Sequence, residues 1–461
     1  MEAKKNFEDF VDGMIEELKD KKYKTVRGEL LEYNAADIGE IIEEILDEIS
    51  LDTAIIVFRM LPKNVSVDVF SYLPVEDQVE IVNGITDREI NYIIDELDFD
   101  DKIDILEELP ANVVDKILEK TPKKERKQIN TFLNYPDNSA GTLMTPDYIS
   151  LKEDMTAGEA LAYIKEEGMD SETIYTCYVK EKGRKLTGIL SLRTLVISDS
   201  DKPIVDLIHK DFVSINVYED QEEVYAKFKK YGYLAIPVVD NEDRLVGIIT
   251  MDDIFDVIEE ETTEDIERMA GVVDDSKTSY LELSVFKHIK NRLPWLLLLM
   301  LSYIFTGAII GHFELTLQKV ICLTVYMPML MGTGGNSGSQ SATLIIRSMA
   351  IGDTDLKDAF RVLWKEIRIS FILGIVLSLV NFVRVIIEQH NSSDFIMIAV
   401  VVSISTFVIV MAAKIIGSML PMLAKKIGID PALMASPMIA SLTDMVSVFT
   451  YFLLATVLLS L

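Results

Sequence analysis

A glycine-rich polar stretch, residues 328–341, interrupts an apolar segment in the second half of the chain. It carries Gly332, Gly334, Gly335 and Gly338 among small polar side chains. Lipid hydrocarbon offers backbone groups no water, so such a run is tolerated at membrane depth only against protein or beside a wet cavity. Glycine lets helices approach closely and lets carbonyl oxygens face a pore. The stretch therefore favours a wet, carbonyl-lined path, with close helix packing as the alternative.

A second apolar segment, residues 432–459, holds a single charged residue, Asp444, near its middle. An ionisable side chain at that depth is costly, and it marks an ion path, a proton relay or a buried ion pair. Lys414, on the preceding apolar segment, is the base that could pair with it. A carboxylate beside carbonyl and amide groups favours the first of these, a cation path on which Asp444 binds the ion.

The same groups indicate which cation. Mg²⁺ gives up its water reluctantly and is bound through one or two carboxylates, whereas Ca²⁺ takes several protein oxygens directly. A lone Asp therefore suits a largely hydrated Mg²⁺ ion, although these residues do not exclude monovalent ions. An inside-negative membrane potential supplies about 2.3 kcal/mol per charge per 100 mV, so uptake needs no ATPase. The sequence has no evident Walker-type or aspartyl-phosphate motif and no nucleophile–base pair, so we expect no enzyme.

The formal net charge of −30 is distributed unevenly. Residues 1–290 hold 66 acidic and 34 basic side chains, and residues 291–461 hold 9 and 11. The first part is an acidic soluble body unsuited to nucleic acid, and the second is typical of a lipid-bilayer domain. The chain has two cysteines, so a disulfide framework is not expected. The first residues lack an apolar signal core, so we expect the soluble part in the cytoplasm.

A twelve-residue repeat runs through the acidic part, from Leu61-Pro62 through Leu73-Pro74 to Thr121-Pro122. Proline suits the first turn of a helix, so each repeat predicts one short helix and a turn. Such short helices cannot bury a face alone and must stack. We therefore predict an acidic α-helical solenoid over residues 1–135.

From Met144 onward the pattern changes, and one α/β unit occurs twice, over residues 144–205 and 206–265. The two units resemble a tandem pair of CBS domains, a small regulatory module. In the second unit Thr250 is followed by Asp253, close to that family's ribose-binding pattern, and the first unit lacks the acid. This resemblance implies ATP as a possible ligand at Thr250 and Asp253, with a purely structural pair as the alternative.

The remainder of the chain predicts a connecting, plug-type helix and a membrane domain, residues 266–292 and 293–461. The connection contains an amphipathic, basic-ended helix at residues 278–292. Five segments are long enough for a bilayer of ~30 Å: 294–313, 319–347, 366–388, 395–424 and 431–459. Lysine and arginine concentrate in the second and fourth loops of this domain. The positive-inside rule therefore places the N-terminus in the cytoplasm and the C-terminus outside.

Two acidic clusters lie in the soluble part. Residues 252–265 contain eight carboxylates and no base, and Asp98, Asp100, Asp101 and Asp104 begin one repeat. A solvated acidic face is the ordinary interpretation, with helix capping for the first three of the repeat. Like charges one helical turn apart repel by ~0.2–0.5 kcal/mol a pair. The sharper hypothesis is that two acidic faces oppose each other and divalent ions bridge them, so that the domains separate when Mg²⁺ is scarce.

Together these features resemble the MgtE family of magnesium channels over nearly the whole chain. The resemblance includes the pattern Pro-x-x-x-Gly-x-Gly-Gly-Asn-x-Gly-x-Gln at residues 328–340. It implies a multidomain membrane protein with a helical solenoid, an α/β CBS pair, a connecting helix and a five-helix all-α transmembrane domain. It also implies a homodimer whose pore lies between the subunits, lined by the second and fifth spans, and closed by internal Mg²⁺.

The resemblance assigns the pore carboxylate to Asp444 and the pore-lining backbone and amide positions to Gly332 and Asn336. It assigns the cytoplasmic Mg²⁺-sensing acids to six positions: Asp100, Asp104, Asp253, Glu259, Glu264 and Asp265. The resulting expectation is a magnesium-selective channel for passive uptake across the cell membrane. The alternatives are an ion-coupled secondary transporter or exporter, in which Asp444 carries protons, and a membrane-anchored nucleotide sensor or enzyme.

Overall fold

The computed structural model describes residues 2–181, 184–272, 280–281, 283–314, 321–389, 395–434 and 436–459. The chain forms two compact units, Met1–Ile258 and Glu259–Leu461. The first contains the helical repeats and both α/β modules, and the second contains the long apolar helices.

Short stacked helices fill the first part of unit 1. They are α1 (Glu2–Lys19), α2 (Tyr23–Leu30), α3 (Ala35–Glu48), α4 (Leu51–Met60), α5 (Lys63–Ser71), α6 (Val75–Gly84), α7 (Asp87–Glu96), α8 (Phe99–Glu108), α9 (Ala111–Lys120) and α10 (Lys123–Phe132). From α4 onward a helix begins every twelve residues, which confirms the predicted period. The repeat prolines, such as Pro62 and Pro110, are the N-cap residues, one position before the predicted first turn. A missing N–H is harmless at either position.

Apolar side chains one turn apart on these helices form one continuous core. In α8, for example, Phe99, Ile103 and Leu106 are buried. Burial of each such side chain is worth ~1.5–3 kcal/mol, so a stack of repeats can be stable although one repeat cannot. The same core continues into the second α/β module through Phe228 and Ile254. The first turn of the module's last helix thus packs against the solenoid.

Each α/β module is a three-stranded sheet with helices. The first has β1 (Tyr148–Lys152), α12 (Ala157–Glu167), β2 (Thr173–Lys180), β3 (Leu186–Ser191) and α13 (Leu192–Ile197), after the short helix α11 (Ala140–Leu143). The second has β4 (Ile215–Asn216), α14 (Gln221–Tyr231), β5 (Ala235–Val239), β6 (Leu245–Thr250) and α15 (Met251–Ala270). In both, the first pair of strands is parallel and the second antiparallel. The predicted duplication is confirmed.

Five long helices dominate unit 2 within the described residues. They are α16 (Val285–His312), α17 (Met327–Ala350), α18 (Ala359–Gln389), α19 (Phe395–Lys426) and α20 (Ser436–Leu458), with 3₁₀ turns at Ile321–Tyr326, Leu356–Asp358 and Pro431–Met434. All except α17 are apolar and long enough to cross a membrane. With 24 residues α17 is ~36 Å long, which is also sufficient, but its glycines and polar side chains lower its hydropathy.

The connection between the units differs from the prediction. Instead of a separate helix at 278–292, α16 begins at Val285 and continues through Pro294 into the first apolar span. Its start is set by Ser284, whose hydroxyl accepts a hydrogen bond from the Lys287 N–H at 3.3 Å. Residues 278, 279 and 282 of the predicted helix lie outside the described residues. Residues 266–270 belong to the end of α15.

Candidate cation sites

Three of the four glycines in the polar stretch lie at helix contacts in unit 2, and the fourth is open. A side chain at Gly334 would approach the Ser447 hydroxyl of α20 to 2.5 Å. Gly338 lies so close to Gly417 of α19 that a Cβ at Gly417 would collide with the Gly338 backbone. A side chain at Gly332 would meet nothing within 4 Å. Close packing therefore accounts for the buried glycines and leaves Gly332 unexplained.

One face of α17 is polar and exposed. Gly332, Asn336 and Gln340 follow one another at a spacing of four residues, so they share a side of the helix, and all three are exposed. Amide side chains on a lipid-facing surface would lack hydrogen-bond partners, so this face requires water or protein. The two positions predicted to line a path, Gly332 and Asn336, thus lie together on an open polar face.

Asp444 lies on α20 at the level of this polar stretch. Its neighbour Thr443 is 3.9 Å from the position that a Cβ on Gly335 would occupy, and Ala440 is 3.6 Å from it. The Asp444 side chain is half-buried. Within the described part of unit 2 the ion pairs involve other acids, such as Asp430 and Glu388. The pairing of Asp444 with Lys414, the alternative considered from the sequence, is therefore not formed.

Lys414 has other partners. Its Nζ lies 3.2 Å from the Ser341 hydroxyl and 3.5 Å from the Ser337 carbonyl oxygen, both on α17. The Ser341 hydroxyl in turn donates to Glu366 Oε2 on α18 at 2.7 Å. The lysine, Ser341 and the glutamate are all buried. Sequence reasoning missed Glu366, because an acid at the first position of the predicted span 366–388 is indistinguishable from an ordinary charge at the end of a span.

Unit 1 brings the beginnings of α8 and α15 together into an acidic cluster. Burial, followed by the nearby charge of Asp253, raises the pKa of Asp100 to about 8. Burial, followed by Asp98 and Asp104, raises the pKa of Asp101 to about 7. Asp253 therefore lies near Asp100, and Asp104 in turn contributes to the electrostatics of Asp253. A concentration of carboxylates without a base disfavours their charged forms and favours a bound cation.

Asp253 has a second, local role. Its Oδ2 accepts hydrogen bonds from the Thr250 hydroxyl at 2.8 Å and from the Thr250 N–H at 3.3 Å. These bonds lower its pKa, but burial outweighs them and raises the pKa to about 6. The Thr-x-x-Asp pattern that suggested ribose binding is thus engaged in its own contact at the start of α15.

The cluster contains one acid that sequence reasoning missed and one carboxylate oxygen without a partner. Glu172, just before β2, has its pKa raised to about 7 by burial and then by Asp98 and Asp253. No sequence signal marks Glu172, since only the tertiary fold brings it to α8 and α15. Asp100 Oδ1 is buried and has no hydrogen-bond partner among the described residues. A cation would satisfy that oxygen.

The cluster is not a closed chelating site. Among the residues that the structure describes, no three His, Cys, Asp or Glu side chains are close enough to hold one metal ion. Asp104 is exposed. Mg²⁺ retains several waters and needs only one or two carboxylates from the protein. The donor set therefore fits a hydrated Mg²⁺ ion better than a cation that needs six or more protein oxygens.

The remaining predicted acids lie in unit 2, farther along α15. Glu259 is exposed. Glu264 forms an ion pair with Arg268, which also pairs with Asp430 in the turn before α20. Burial, followed by Asp430, raises the pKa of Asp265. Sequence reasoning missed Asp430, whose Oδ1 also accepts a hydrogen bond from the N–H two residues later at 2.8 Å.

Family models match most of the chain. The MgtE intracellular N domain matches residues 33–138, the CBS domain matches 140–200 and 204–260, and the MgtE divalent cation transporter domain matches 327–454.

Similar proteins extend over nearly the full length. The magnesium transporter MgtE of Thermus thermophilus is 35% identical over 441 residues, 93% of this chain and 97% of the relative. The magnesium transporter MgtE of Bacillus subtilis is 31% identical over 424 residues, which are 89% of this chain and 92% of the relative. A solved structure titled as the cytosolic domain of the Mg²⁺ channel MgtE in complex with ATP is 31% identical, with a TM-score of 0.50, and the match covers 54% of this chain and 99% of that one.

Proposed function

Since this chain belongs to the MgtE family of magnesium transporters, we propose that it is a channel for the passive uptake of Mg²⁺ across the cell membrane. The observation that carries the proposal is the open face of α17 beside Asp444. Gly332 and Asn336 are exposed there, and Asp444, at the same level, forms no ion pair within the described residues. A carboxylate kept free beside amide and carbonyl groups can bind a hydrated divalent ion.

The path lies between two copies of the chain. The polar face of α17 would be unsatisfied in lipid, and a second copy related by a twofold axis would place the same face opposite it. The passage between them would be lined by α17 and α20 of both subunits. The basic loops support an orientation with the N-terminus in the cytoplasm and the C-terminus outside.

Internal Mg²⁺ closes this channel by binding to the acidic domains. The raised pKa values of Asp100 and Asp253, and the unpartnered Asp100 oxygen, support a role for a cation that offsets their repulsion. With Mg²⁺ bound the solenoid and the second α/β module are held together, and without it they separate. Asp104, Glu259, Glu264 and Asp265 contribute further charge along the same acidic surfaces.

ATP is proposed as a second ligand of the α/β pair, at Thr250 and Asp253. Support comes from the similar cytosolic domain that was solved with ATP. Because Asp253 also belongs to the acidic cluster, bound ATP and Mg²⁺ would influence each other's affinity. Calorimetric titration of residues 1–272 with ATP, with and without Mg²⁺, tests this, and no heat of binding for ATP under either condition would contradict it.

The proposed function is tested by recording from planar bilayers that contain the full-length protein. A channel gives unitary Mg²⁺ currents that need no proton gradient, and internal Mg²⁺ reduces their open probability. Proton-coupled Mg²⁺ flux without unitary openings would contradict the channel and favour the secondary transporter or exporter. Removal of residues 1–272 should leave conduction and abolish inhibition by internal Mg²⁺.

A further inference from the structure

A buried ammonium and a buried carboxylate are joined through one serine on the closed side of α17. Lys414 Nζ lies 3.2 Å from the Ser341 hydroxyl and 3.5 Å from the Ser337 carbonyl oxygen. The Ser341 hydroxyl donates to Glu366 Oε2 at 2.7 Å. The exposed fractions are 5% for Lys414, 1% for Ser341 and 8% for Glu366. The chain Lys–Ser–Glu thus connects α19, α17 and α18.

The arrangement suits a pair in which both ends are charged. An ammonium can only donate and an ionised carboxylate can only accept, so the serine hydroxyl accepts from one and donates to the other. Either charge buried alone would be strongly unfavourable, whereas apolar side chains of similar volume would join the helices at no such cost. Helix packing by itself therefore does not account for charge at these positions.

The pair is close enough to the open face of α17 to affect an ion there. Ser337 and Ser341 each follow by one residue the exposed side chains of Asn336 and Gln340. The charges lie about one helix diameter, ~10 Å, from that face. With an effective dielectric constant between those of protein and water, an unbalanced unit charge at this distance changes the affinity for a divalent ion by roughly tenfold. A lysine without its glutamate would repel Mg²⁺ from the path.

We propose that Lys414 and Glu366 are the charge-balancing and positioning residues of the cation path. Lys414 holds α17 in place through Ser337 and Ser341, and Glu366 cancels the repulsion that this ammonium would exert on a passing divalent ion. The inference depends on the proposed function, because the pair acts on an ion only if α17 lines the path.

The test separates charge from structure by the sign of the effect. Lys414→Gln retains a donor and leaves a net negative charge, whereas Glu366→Gln retains an acceptor and leaves a net positive charge. The readout is the Mg²⁺ concentration for half-maximal flux into liposomes that contain the full-length protein. Glu366→Gln should raise it by about tenfold, Lys414→Gln should lower it, and the double variant should return to within about threefold of wild type.

Ser418→Ala serves as the matched control. Ser418 is also buried on α19, and its hydroxyl bonds to the Ile415 carbonyl of its own helix at 3.1 Å. This variant should behave as wild type. If Lys414→Gln does not elute as an assembled protein, Lys414→Met combined with Glu366→Gln supplies the neutral pair. Comparison of Glu366→Gln with this double variant then still gives the sign of the charge effect.

Two results would overturn the inference while leaving the proposed function intact. If both single variants shift the half-maximal concentration in the same direction, the pair has a structural role only. If neither variant shifts it in protein that assembles and conducts, the pair does not act on the path. A wild-type protein that carries no Mg²⁺ would instead refute the proposed function.

Discussion

Buried carboxylates have different neighbours in the two units. In unit 1, Asp100, Asp101 and Asp253 are partly buried beside one another, and their pKa values rise to about 8, 7 and 6. In unit 2, the buried Glu366 is joined to an ammonium through Ser341. The first arrangement is incomplete without a cation and so can respond to one. The second is complete and so can hold helices in place. Asp444, which forms no ion pair among the described residues of unit 2, differs from Glu366, and we propose that it binds the transported ion.

The largest expected effect is at Asp444. Asp444→Ala should reduce Mg²⁺ flux by about 100-fold or more, because no other carboxylate of the described spans is both unpaired and level with Asn336. Flux into liposomes, followed with a Mg²⁺-sensitive dye, measures this. Glu388→Gln is the matched control, since Glu388 pairs with Arg384 on its own helix at 2.7 Å. Equal flux in the two variants would remove Asp444 from the path.

The next effect concerns assembly of the helices around the path. Gly417→Leu should prevent stable folding of unit 2, because its side chain would collide with the backbone of Gly338, which cannot move aside. The yield of monodisperse full-length protein in detergent is the measurement. Gly307→Ala is the control, because a Cβ there meets nothing within 4 Å. A monodisperse Gly417→Leu protein with normal flux would show that the close contact of α17 and α19 is dispensable.

The acidic cluster should give unit 1 an unusual dependence on pH. The folded pKa values lie above those of unfolded Asp, so the folded state binds extra protons, and stability is lost as pH rises from about 4 to about 8. After allowance for solvent screening, the free energy of unfolding of residues 1–272 in EDTA should fall by roughly 2 kcal/mol between pH 5 and pH 8.5.

The effect of Mg²⁺ on stability should also depend on pH. Mg²⁺ should stabilise residues 1–272 more at pH 8 than at pH 5, since protons compete with it for the same carboxylates. Asp100→Asn combined with Asp253→Asn should flatten the pH dependence and weaken the Mg²⁺ effect. Urea unfolding with and without Mg²⁺ at both pH values decides the matter. Equal stabilisation at pH 5 and pH 8 would show that the cluster is not where Mg²⁺ binds.

The sequence predicts local features of this protein well because they depend on short-range chemistry. The twelve-residue repeat marks the start of the helices from α4 to α10, four of which follow a proline. The duplicated Gly188 and Gly247 segments mark the two sheets. Residues that come together only in the tertiary structure carry no such signal. Glu172, Glu366 and Asp430 were missed because each acquires its partners only when distant segments meet.

The glycine-rich stretch shows the same limit within one helix. Its composition indicated either a path or close packing, and in the structure only some of its glycines are closely packed. Gly334 and Gly338 lie against neighbouring helices, whereas Gly332 is open with Asn336. The sequence alone could not separate them, because the orientation of α17 is set by α19 and α20.

The smallest effect concerns a surface carboxylate that is partnered. Glu89 accepts hydrogen bonds from Arg59 Nε at 2.8 Å and from the Thr86 N–H at 2.8 Å, and these partners lower its pKa to about 2. Because the folded pKa is below the unfolded one, this stability is present above about pH 4.5 and is lost as pH falls towards 2, opposite in sign to the cluster. Glu89→Gln should cost about 1 kcal/mol at pH 7, since exposed pairs and caps contribute little.

That cost should shrink towards zero at pH 2.5 in urea unfolding of residues 1–272, where Glu89 of the wild type also begins to take up a proton. Glu80→Gln, at an exposed position of α6, should change stability at neither pH. If Glu89→Gln instead became more destabilising as the pH fell, the sign assigned to partnered carboxylates would be wrong. The contrast with the acidic cluster would then lose its physical basis, since both rest on the same linkage between proton binding and folding.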